Sequence, residues 1–435
     1  MGFIAPQALK GVRVVDLTWM LASAGGATML ASLGAEVIRI EWPGHLDFTR
    51  FGAVAVEQSP SLGPVRGPAS SNEPATADDR SPNLDGTFND RNAGKMGVTL
   101  NLNHPRGREL FARLVSVSDV VMEGFTAPTM SRWGLHYEGL KTIKRDIIYI
   151  QMAGFGNSGP YRQYVSYGPT AQAMAGLAYK NGLPEPHPPT MWNHSYMDVT
   201  PPYYTALGVI GALYYRNRTG KGQYLDQAQY APGLFLTGTS ILEYSANNRR
   251  SERVGNRSVG RSAAPHGVYR CAGDDAWIAI AVFSDEEWRA LCRAMGDPPW
   301  RHAPEYQTLQ NRIRVQDELD EKIEAWTGPQ ERYDLMYRLQ ALGVPAGVVQ
   351  SNRDKVEEDP QLKVRDFFAH VYHSELGTRP VTRHFTPKLS LTPAHPGGLT
   401  QRGAPLVGED SAYVYREILG LSVAEVEAYR EEGVI

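Results

Sequence analysis

The start of the chain alternates short apolar runs with a helical pattern of small residues. Residues 12–17 form the first apolar run, residues 22–33 favour a helix, and residues 36–41 form a second run rich in β-branched side chains. This pattern predicts a β-strand, a helix and a second β-strand. Because two parallel strands need a crossover helix between them, the chain is expected to build a parallel sheet that is covered on its faces.

The same alternation recurs further along the chain. Residues 105–117 favour a helix, residues 119–123 are strand-like, and residues 147–152 are another candidate for a buried strand. Repeated strand and helix patterns of this kind predict an α/β fold with a mostly parallel, doubly wound sheet. Residues 202–216 favour another helix, and we interpret the basic turn at 217–223 as a hairpin-like or loop connection.

A different pattern occupies the middle of the chain. Residues 267–282 predict a strand, a turn and a strand, and residues 285–342 are largely helical. We therefore predict a smaller domain over 226–342. The large domain would consist of 1–225 and 343–435.

Three other segments have distinct local patterns. Residues 53–86 are rich in Pro, Ser, Gly and Asn without hydrophobic periodicity, which predicts a long surface loop. Residues 231–247 favour a helix. Ser422 is expected to cap the final helix of the sequence.

The composition predicts a soluble protein that handles small molecules or other proteins. The 435 residues have a formal net charge of −3 with scattered Lys and Arg, which argues against nucleic acid as a partner. No apolar run approaches the roughly 18 residues that span a bilayer, and the first residues lack a signal-peptide pattern. We therefore predict a cytoplasmic protein without membrane association. Cys271 and Cys292 are expected to be reduced core thiols.

The first strand–helix–strand unit also raises the alternative of a nicotinamide dinucleotide site. Glu41 ends the second run, where a carboxylate would meet a ribose hydroxyl. The first turn has no GxGxxG motif, so it does not encode the close backbone approach that a pyrophosphate requires. A packed sheet edge is the interpretation that we prefer.

An ordered series of motifs extends over nearly the whole chain. The motifs are LKGVRVVDLTWMLASAGGATMLASLGAEVIRIEWPG from Leu9, DRNAGKMGVTLNL from Asp90, SDVVMEGFTAPTMSRWGL from Ser118, IIYIQMAGFGNSGPY from Ile147, AQAMAG from Ala171, ALGVIGALYYRNRTGKGQYLD from Ala206, GN at Gly255, AAPHGVY from Ala263 and LGVPAGVV from Leu342. In this order they resemble the family III CoA-transferases, the group that contains the formyl-CoA and carnitine CoA-transferases. The resemblance depends on the order of the motifs rather than on any one of them.

The resemblance implies both a fold and an assembly. It implies a large Rossmann-like domain built from both ends of the chain, a small middle domain, and two subunits interlocked like linked rings. It also implies acyl-CoA and a carboxylic acid as substrates, with no permanently bound cofactor. The expected protein partner is a homologous subunit, in a homodimer or a heteromer.

The chemistry that the resemblance implies centres on one carboxylate. That group attacks the acyl-CoA thioester to give a mixed anhydride, CoA thiolate returns to give an enzyme-bound thioester, and the acceptor acid then exchanges in. Such a carboxylate must be ionised yet poorly solvated, and backbone donors must stabilise the tetrahedral oxyanion.

The family's nucleophilic Asp corresponds to a Glu in this chain. In the family the Asp lies thirteen residues after a Gln, here Gln172, and Glu185 of NGLPEPHPPT occupies that place. Its side chain is one methylene longer, and a displacement of about 1 Å can cost on the order of a hundredfold in rate. An exposed loop residue is the alternative interpretation of Glu185. Asp198 is the alternative catalytic carboxylate, although we expect it to cap the following helix.

The resemblance also assigns positions to CoA and to the acyl group. Met20 and Leu21 occupy the CoA-binding places of a Val-Gln pair in formyl-CoA transferase, and Trp42 replaces an Arg that contacts CoA. These departures favour an acceptor that is larger and more apolar than oxalate. The other implied positions are the phosphate-facing cations Arg39, Lys95 and Arg132, the adenine cradle Gly124 and Phe125, and the acyl loop with Gly255, Asn256 and Gly260.

A non-catalytic role is an alternative to a working enzyme. The motifs NAGKMGVTLNL and GFTAPTMSRWGL resemble the subgroup of benzylsuccinate CoA-transferase, which moves CoA from succinyl-CoA to an aromatic dicarboxylic acid and has two homologous subunits. This chain could then be a structural subunit whose homologous partner carries the catalytic Asp.

Two further activities are disfavoured by the residues present. The 2-methylacyl-CoA racemases share the fold, but residues 166–168 lack the carboxylate of their acid/base pair. A metal site built from Glu185, His187, His194 and Asp198 would match no standard ligand spacing. We therefore predict no metal.

Overall fold

The computed structural model describes residues 6–51, 81–126, 128–192 and 194–435. Most of the predicted surface loop at 53–86 lies outside these ranges. The described residues form two compact units. The first unit contains the residues up to Ala178 together with Met191–Ala246 and Lys363–Ile435, and the second contains Tyr179–Thr190 and Asn247–Leu362.

Strands and helices alternate along much of the described chain. The strands are β1 (Arg13–Leu17), β2 (Glu36–Glu41), β3 (Met96–Thr99), β4 (Val120–Glu123), β5 (Ile148–Ala153), β6 (Tyr224–Ala228), β7 (His266–Arg270), β8 (Trp277–Ala281), β9 (Ala346–Val348), β10 (Phe368–His373) and β11 (Gly377–Thr382). The α-helices are α1 (Ala22–Ser32), α2 (Gly86–Asn92), α3 (Pro105–Ser116), α4 (Pro128–Arg132), α5 (Tyr137–Ile143), α6 (Gly168–Met174), α7 (Leu177–Lys180), α8 (Tyr196–Val199), α9 (Pro201–Thr219), α10 (Ala231–Leu236), α11 (Gly238–Asn247), α12 (Asp285–Ala294), α13 (Leu309–Arg314), α14 (Gln316–Thr327), α15 (Arg332–Ala341), α16 (Pro360–Val364) and α17 (Val423–Glu431). None of the helices in the described ranges combines the length and apolarity that crossing a membrane requires.

A six-stranded parallel sheet lies at the centre of the first unit, with the strand order β3-β2-β1-β4-β5-β6. This confirms the α/β fold with a parallel sheet. Strands β4 and β5 are buried along their whole length, as the continuous apolar runs predict. The chain order reverses between β1 and β4, and ligands of such sheets bind outside the carboxyl ends of the strands at this point.

Small residues allow α1 to lie deep in the first unit. Every residue of α1 is buried. A Cβ atom at Gly26 would lie 2.7 Å from Cγ2 of Thr205 in α9, so a larger residue would push these two helices apart. The small-residue pattern of the sequence is therefore a packing requirement.

The apolar core on one side of the sheet contains residues from both ends of the chain. Val414, Tyr415 and Val434 belong to the same buried cluster as Val15. The backbone N–H of Asn101 donates to the carbonyl of Val434 at 2.8 Å. Helix α17 begins, as predicted, after Ser422, which forms a capping box with Glu425.

The second unit packs helices against a small antiparallel sheet. Strands β7, β8 and β9 are neighbours in that order, and the predicted strand–turn–strand at 267–282 is present as β7 and β8. Apolar residues of these strands and of α12, α14 and α15 form one buried cluster. Cys271 and Cys292 lie in this cluster as buried free thiols.

The connections after α9 differ from two sequence-based expectations. Gly220 ends α9 with a left-handed φ of 70°, and β6 then pairs parallel to β5. The hairpin-like alternative for 217–223 is therefore wrong, because a helix-to-strand connection occupies the turn. Helices α10 and α11 lie in the first unit, where the Thr237 hydroxyl donates to the carbonyl of Ala175 at 3.1 Å. The boundaries of the two units therefore differ from those of the domain predicted over 226–342.

Candidate active site

A cavity of about 310 Å³ lies at the carboxyl ends of β1, β2 and β4. Aromatic rings form much of its wall: Trp19 and Phe125 have ring centroids 6.2 Å apart, and Phe125 and Trp133 are 6.0 Å apart. His45 lies 4.7 Å from Trp19, and Glu41 at the end of β2 is a polar wall residue. Because flat rings stack well on such walls, the cavity suits a heteroaromatic group.

A buried carboxylate holds the turn between β1 and α1. Met20 has a left-handed φ of 63°, which is uncommon for a residue with a side chain, and its N–H donates to Oδ2 of Asp47 at 3.2 Å. Leu21 then occupies the N-cap position of α1 without a side-chain cap. Met20 and Leu21, two of the predicted CoA positions, therefore belong to the turn directly after the cavity residue Trp19.

Two of the predicted phosphate-binding cations have structural ion pairs instead. Arg39 is fully buried and pairs with Asp47, while Nζ of fully buried Lys95 donates to Oδ2 of Asp16 at 2.8 Å. Burial lowers the pKa of Lys95 to about 8, and the charge of Asp16 opposes this change. A phosphate cannot reach either head group, so we correct the sequence-based assignment and leave both residues out of the candidate CoA site.

The predicted adenine cradle at Gly124 and Phe125 lies beside the cavity. A Cβ atom at Gly124 would lie 2.6 Å from the hydroxyl of Ser23, at the start of α1. The N–H of Phe125 donates to Oε2 of Glu123 at 2.6 Å. Close approach at Gly124 and this hydrogen bond together fix the direction in which Phe125 leaves β4.

Arg132 differs from the other two predicted cations in its surroundings. It ends α4, is exposed, and immediately precedes the cavity residue Trp133. Trp42, at the place of a family Arg, also lines the cavity. Arg132 is thus the sequence neighbour of a cavity residue, and Trp42 adds an aromatic ring to the wall at the place of the family Arg.

Glu185 lies in a closed loop of the second unit. The N–H of Thr190 donates to the carbonyl of Asn181 at 2.9 Å, and Nδ2 of Asn181 donates to the carbonyl of Thr190 at 3.2 Å. The side chain of Glu185 is 86% exposed, and its Oε1 lies 4.0 Å from Nη2 of Arg253. Sequence reasoning missed Arg253, although its place two residues before the GN motif was a signal that could have found it.

The loop of Glu185 is bonded directly to the glycine-rich loop. The N–H of Gly255 donates to the carbonyl of Gly182 at 3.1 Å, and the carbonyl of Asn256 lies 2.6 Å from Nδ1 of His266. Gly255, Asn256 and Gly260 are exposed, and a cavity of about 530 Å³ opens beside the first two. The structure thus brings the predicted nucleophile segment and the predicted acyl loop together.

Asp198 has surroundings in the first unit that differ from the expectation. It lies inside the short helix α8, whose N-cap is Ser195, so the predicted N-cap role of Asp198 is wrong. The reason is that α8 and α9 are separate helices, and α9 begins with a proline. Burial raises the pKa of Asp198, and a hydrogen bond from Nε2 of Gln229 at 3.3 Å and the charge of Arg91 oppose this change. Gly168 packs against this carboxylate, where a Cβ would lie 2.1 Å from its Oδ2.

Metal ligands do not cluster in the described ranges, where no group of three or more His, Cys, Asp or Glu side chains could hold an ion. The second unit offers an exposed carboxylate beside loop amides, and the first unit offers an aromatic cavity.

Nearly the whole chain matches known proteins. Residues 9–411 match the family described as CoA-transferase family III. The chain is 32% identical over 431 residues to succinyl-CoA–D-citramalate CoA-transferase of Chloroflexus aurantiacus, which covers 99% of this chain and 98% of that protein. It is 30% identical over 428 residues to the succinyl-CoA–L-malate CoA-transferase beta subunit of the same organism, covering 98% of each.

A solved structure has the same fold. The crystal structure of a CaiB/BaiF family protein from Brucella suis matches with a TM-score of 0.80 and 28% identity, covering 95% of this chain and 99% of that one. Together with the match over residues 9–411, this confirms the family predicted from the ordered motifs. The chain belongs to CoA-transferase family III and is a CoA-transferase.

Proposed function

We propose that this chain transfers CoA from succinyl-CoA to a dicarboxylic acid, with Glu185 as the nucleophile. The observation that carries the proposal is the hydrogen bond between Gly182 and Gly255, because it joins the loop of Glu185 to the glycine-rich loop. The names of two relatives, which specify succinyl-CoA with citramalate or malate, support the donor and the class of acceptor. The aromatic acceptor suggested by the sequence, such as benzylsuccinate, stays a prediction.

The proposed reaction begins at the carboxylate of Glu185. One carboxylate oxygen attacks the thioester carbon of succinyl-CoA, the C–S bond breaks, and CoA leaves as a thiolate while a mixed anhydride forms. The thiolate then attacks the Glu185 carbonyl, which releases succinate and leaves a glutamyl-CoA thioester. Amides of the loop at Gly255, Asn256 and Gly260 are the proposed donors to the oxyanion.

The second half of the reaction reverses these steps on the acceptor. A carboxylate of the acceptor acid attacks the glutamyl thioester and releases CoA thiolate. The thiolate then attacks the acceptor carbonyl of the new anhydride, which forms the product thioester and regenerates Glu185. Atoms and charges balance without a metal or an organic cofactor, so the proposal needs only the two acids and CoA.

The aromatic cavity is the proposed site for the adenine end of CoA. Trp19, Phe125 and Trp133 provide surfaces on which a purine can stack. Arg132, exposed beside Trp133, is the proposed contact for a CoA phosphate. Met20 and Leu21 contribute through the turn that follows Trp19.

A homologous partner subunit is part of the proposal. A nucleophilic carboxylate should be poorly solvated, whereas the side chain of Glu185 is 86% exposed in the single chain. Helix α11 has no buried residue, and Leu242 on α11 and Phe235 on α10 are 67% and 75% exposed. Because apolar side chains of this size favour burial, we propose that a second, interlocked subunit covers them.

The experiment that tests the proposal traps the acyl-enzyme. The purified chain is incubated with succinyl-CoA, treated with hydroxylamine, and digested for mass spectrometry. A hydroxamate at Glu185 is the expected result, since hydroxylamine attacks both the anhydride and the thioester. The variant Glu185→Gln should form no adduct at this position and lose transferase activity, whereas Glu305→Gln, an exposed Glu of the same unit, should behave like the parent.

Two other outcomes would overturn the assignment of Glu185. A hydroxamate at Asp198 that disappears in Asp198→Asn would move the nucleophile to that residue. No adduct on this chain, together with a hydroxamate on an Asp of a co-purified homologous chain, would make this chain the non-catalytic subunit.

A further inference from the structure

Arg253 is a buried cation that binds the loop of Glu185 at several points. Its Nε donates to the carbonyl of Leu183 at 3.3 Å, and its Nη2 donates to the carbonyl of His187 at 2.9 Å. Its Nη1 also donates to the carbonyl of Tyr179 at 3.5 Å. Leu183 and His187 lie two residues before and two residues after Glu185, so the guanidinium bonds to both sides of the proposed nucleophile.

The same side chain is close to the carboxylate itself. Nη2 of Arg253 lies 4.0 Å from Oε1 of Glu185, although the Arg253 side chain is only 7% exposed and that of Glu185 points outward. At this distance the two opposite charges attract, and the attraction is strongest where one partner is shielded from water. The carboxylate is therefore biased towards the side of the loop on which Arg253 lies.

Arg253 also connects the two loops that the reaction needs. It lies two residues before Gly255, whose N–H donates to the carbonyl of Gly182 on the other loop at 3.1 Å. A Cβ atom at Gly255 would lie 3.3 Å from the side chain of Leu183, which makes the approach of the two loops close. The segment from Arg253 to Gly255 therefore bonds to the loop of Glu185. The same segment begins the glycine-rich loop whose amides are the proposed oxyanion donors.

We propose that Arg253 is a positioning residue for Glu185, an inference that rests on the proposed function. It fixes the backbone on both sides of the nucleophile relative to the glycine-rich loop, so that the longer Glu side chain reaches the thioester carbon in one orientation. Displacing a reacting group by about 1 Å can cost on the order of a hundredfold in rate, so loss of these bonds should lower kcat much more than it changes KM.

Lysine is a useful replacement for Arg253 because it keeps the positive charge and changes the hydrogen-bonding geometry. The guanidinium donates from three nitrogens of one rigid plane to three carbonyl groups, whereas a lysine ammonium is a single point of donation. Arg253→Lys keeps the charge and most of the side-chain volume but cannot make the three bonds at once. The variant therefore separates the effect of positioning from the effect of charge.

The experiment compares Arg253→Lys and Arg253→Ala with the control Arg289→Lys, an exposed Arg of α12 that pairs with Glu286. For each protein we would measure kcat and KM for succinyl-CoA, the yield of hydroxamate at Glu185, and the thermal unfolding midpoint. We expect kcat of Arg253→Lys to fall by about a hundredfold with KM within about threefold, and the hydroxamate yield to fall in parallel. Guanidinium ion should restore part of the activity of Arg253→Ala, and the control should match the parent.

The possible failures are distinguishable. If the parent forms no hydroxamate at Glu185, the proposed function fails and the role of Arg253 fails with it. If the parent forms the adduct but folded Arg253→Lys keeps kcat within about twofold, the inference is overturned while the proposed function stands. An activity loss that only follows the unfolded fraction, without rescue of Arg253→Ala by guanidinium, would also overturn it.

Discussion

The carboxyl group of Glu123 accepts a hydrogen bond from the Tyr149 hydroxyl at 2.9 Å inside the core of the first unit. Its other oxygen accepts from the N–H of Phe125 at 2.6 Å, beside the aromatic cavity. Burial raises the pKa of Glu123 to about 8, although these two hydrogen bonds oppose the change. Burial therefore favours the neutral form of the carboxyl group that orients Phe125.

We predict that Glu123→Gln is more stable than the parent at alkaline pH. The pKa of Glu123 is higher in the folded protein than its ordinary 4.5, so the unfolded chain loses this proton first as pH rises. The contribution of the neutral carboxyl to the free energy of unfolding therefore declines from pH 4.5 towards about 8 and is constant above that. At pH 8 the amide should raise the free energy of unfolding by about 1 to 4 kcal/mol relative to the parent.

Denaturant unfolding at pH 5 and pH 8 measures this difference. The exposed Glu138, replaced in the same way, should give no pH-dependent change relative to the parent. An equal stability difference between Glu123→Gln and the parent at both pH values would contradict the prediction.

We predict that Lys95→Met destabilises the fold without weakening the binding of CoA in the protein that remains folded. Removing Lys95 leaves the buried carboxylate of Asp16 without its hydrogen-bonded cation, which costs about 3 to 5 kcal/mol in comparable buried pairs. Thermal unfolding measures the loss, and the exposed Lys10, changed to Met, is the control. A large rise in KM for succinyl-CoA at a temperature where the variant is folded would instead return Lys95 to the CoA site.

We predict that Gly124→Ala raises KM for succinyl-CoA by about tenfold. The new methyl group would lie 2.6 Å from the Ser23 hydroxyl, so the segment that leads to Phe125 must shift away from α1. Steady-state kinetics measure the effect. Gly211→Ala in α9, where a Cβ meets open space, should leave KM unchanged, and an unchanged KM for Gly124→Ala would remove the cradle from the candidate CoA site.

We predict that Leu242→Glu weakens the association of subunits. A charge at this exposed position of α11 would have to be buried in the proposed interface, which should raise the dissociation constant at least about tenfold. Analytical ultracentrifugation over a range of concentrations measures it. Leu391→Glu makes the same substitution at another exposed leucine, and it should leave the dissociation constant unchanged.

The sequence predicted the parallel sheet because its signals are local. Strand β2 is rich in β-branched residues and β5 is a largely apolar run, and the capping box at Ser422 needs only four consecutive residues. The family could also be predicted, because the order of its motifs along the chain is visible without knowledge of side-chain packing.

The charges of the candidate site could not be predicted in the same way. Arg39 and Lys95 resemble phosphate ligands in the sequence, but their carboxylate partners Asp47 and Asp16 meet them only after the sheet has formed. Arg253 was missed for the opposite reason, because it acts on backbone carbonyls around Glu185 that no sequence pattern marks. Asp198 was misassigned because the separation of α8 from α9 depends on a break at Thr200 that a helical pattern does not reveal.

The shared apolar core of β1, α3 and residues 414–434 has a consequence for biosynthesis. The side chain of Asn101 bonds to the carbonyl of Gly433, a partner 332 residues later in the chain. While the ribosome is still translating the middle of the protein, the apolar face of the early strands has no Val414, Tyr415 or Val434 to cover it. The nascent chain therefore carries an uncovered apolar surface until residues 414–434 have been synthesised, and this core can be completed only after those residues have left the ribosome.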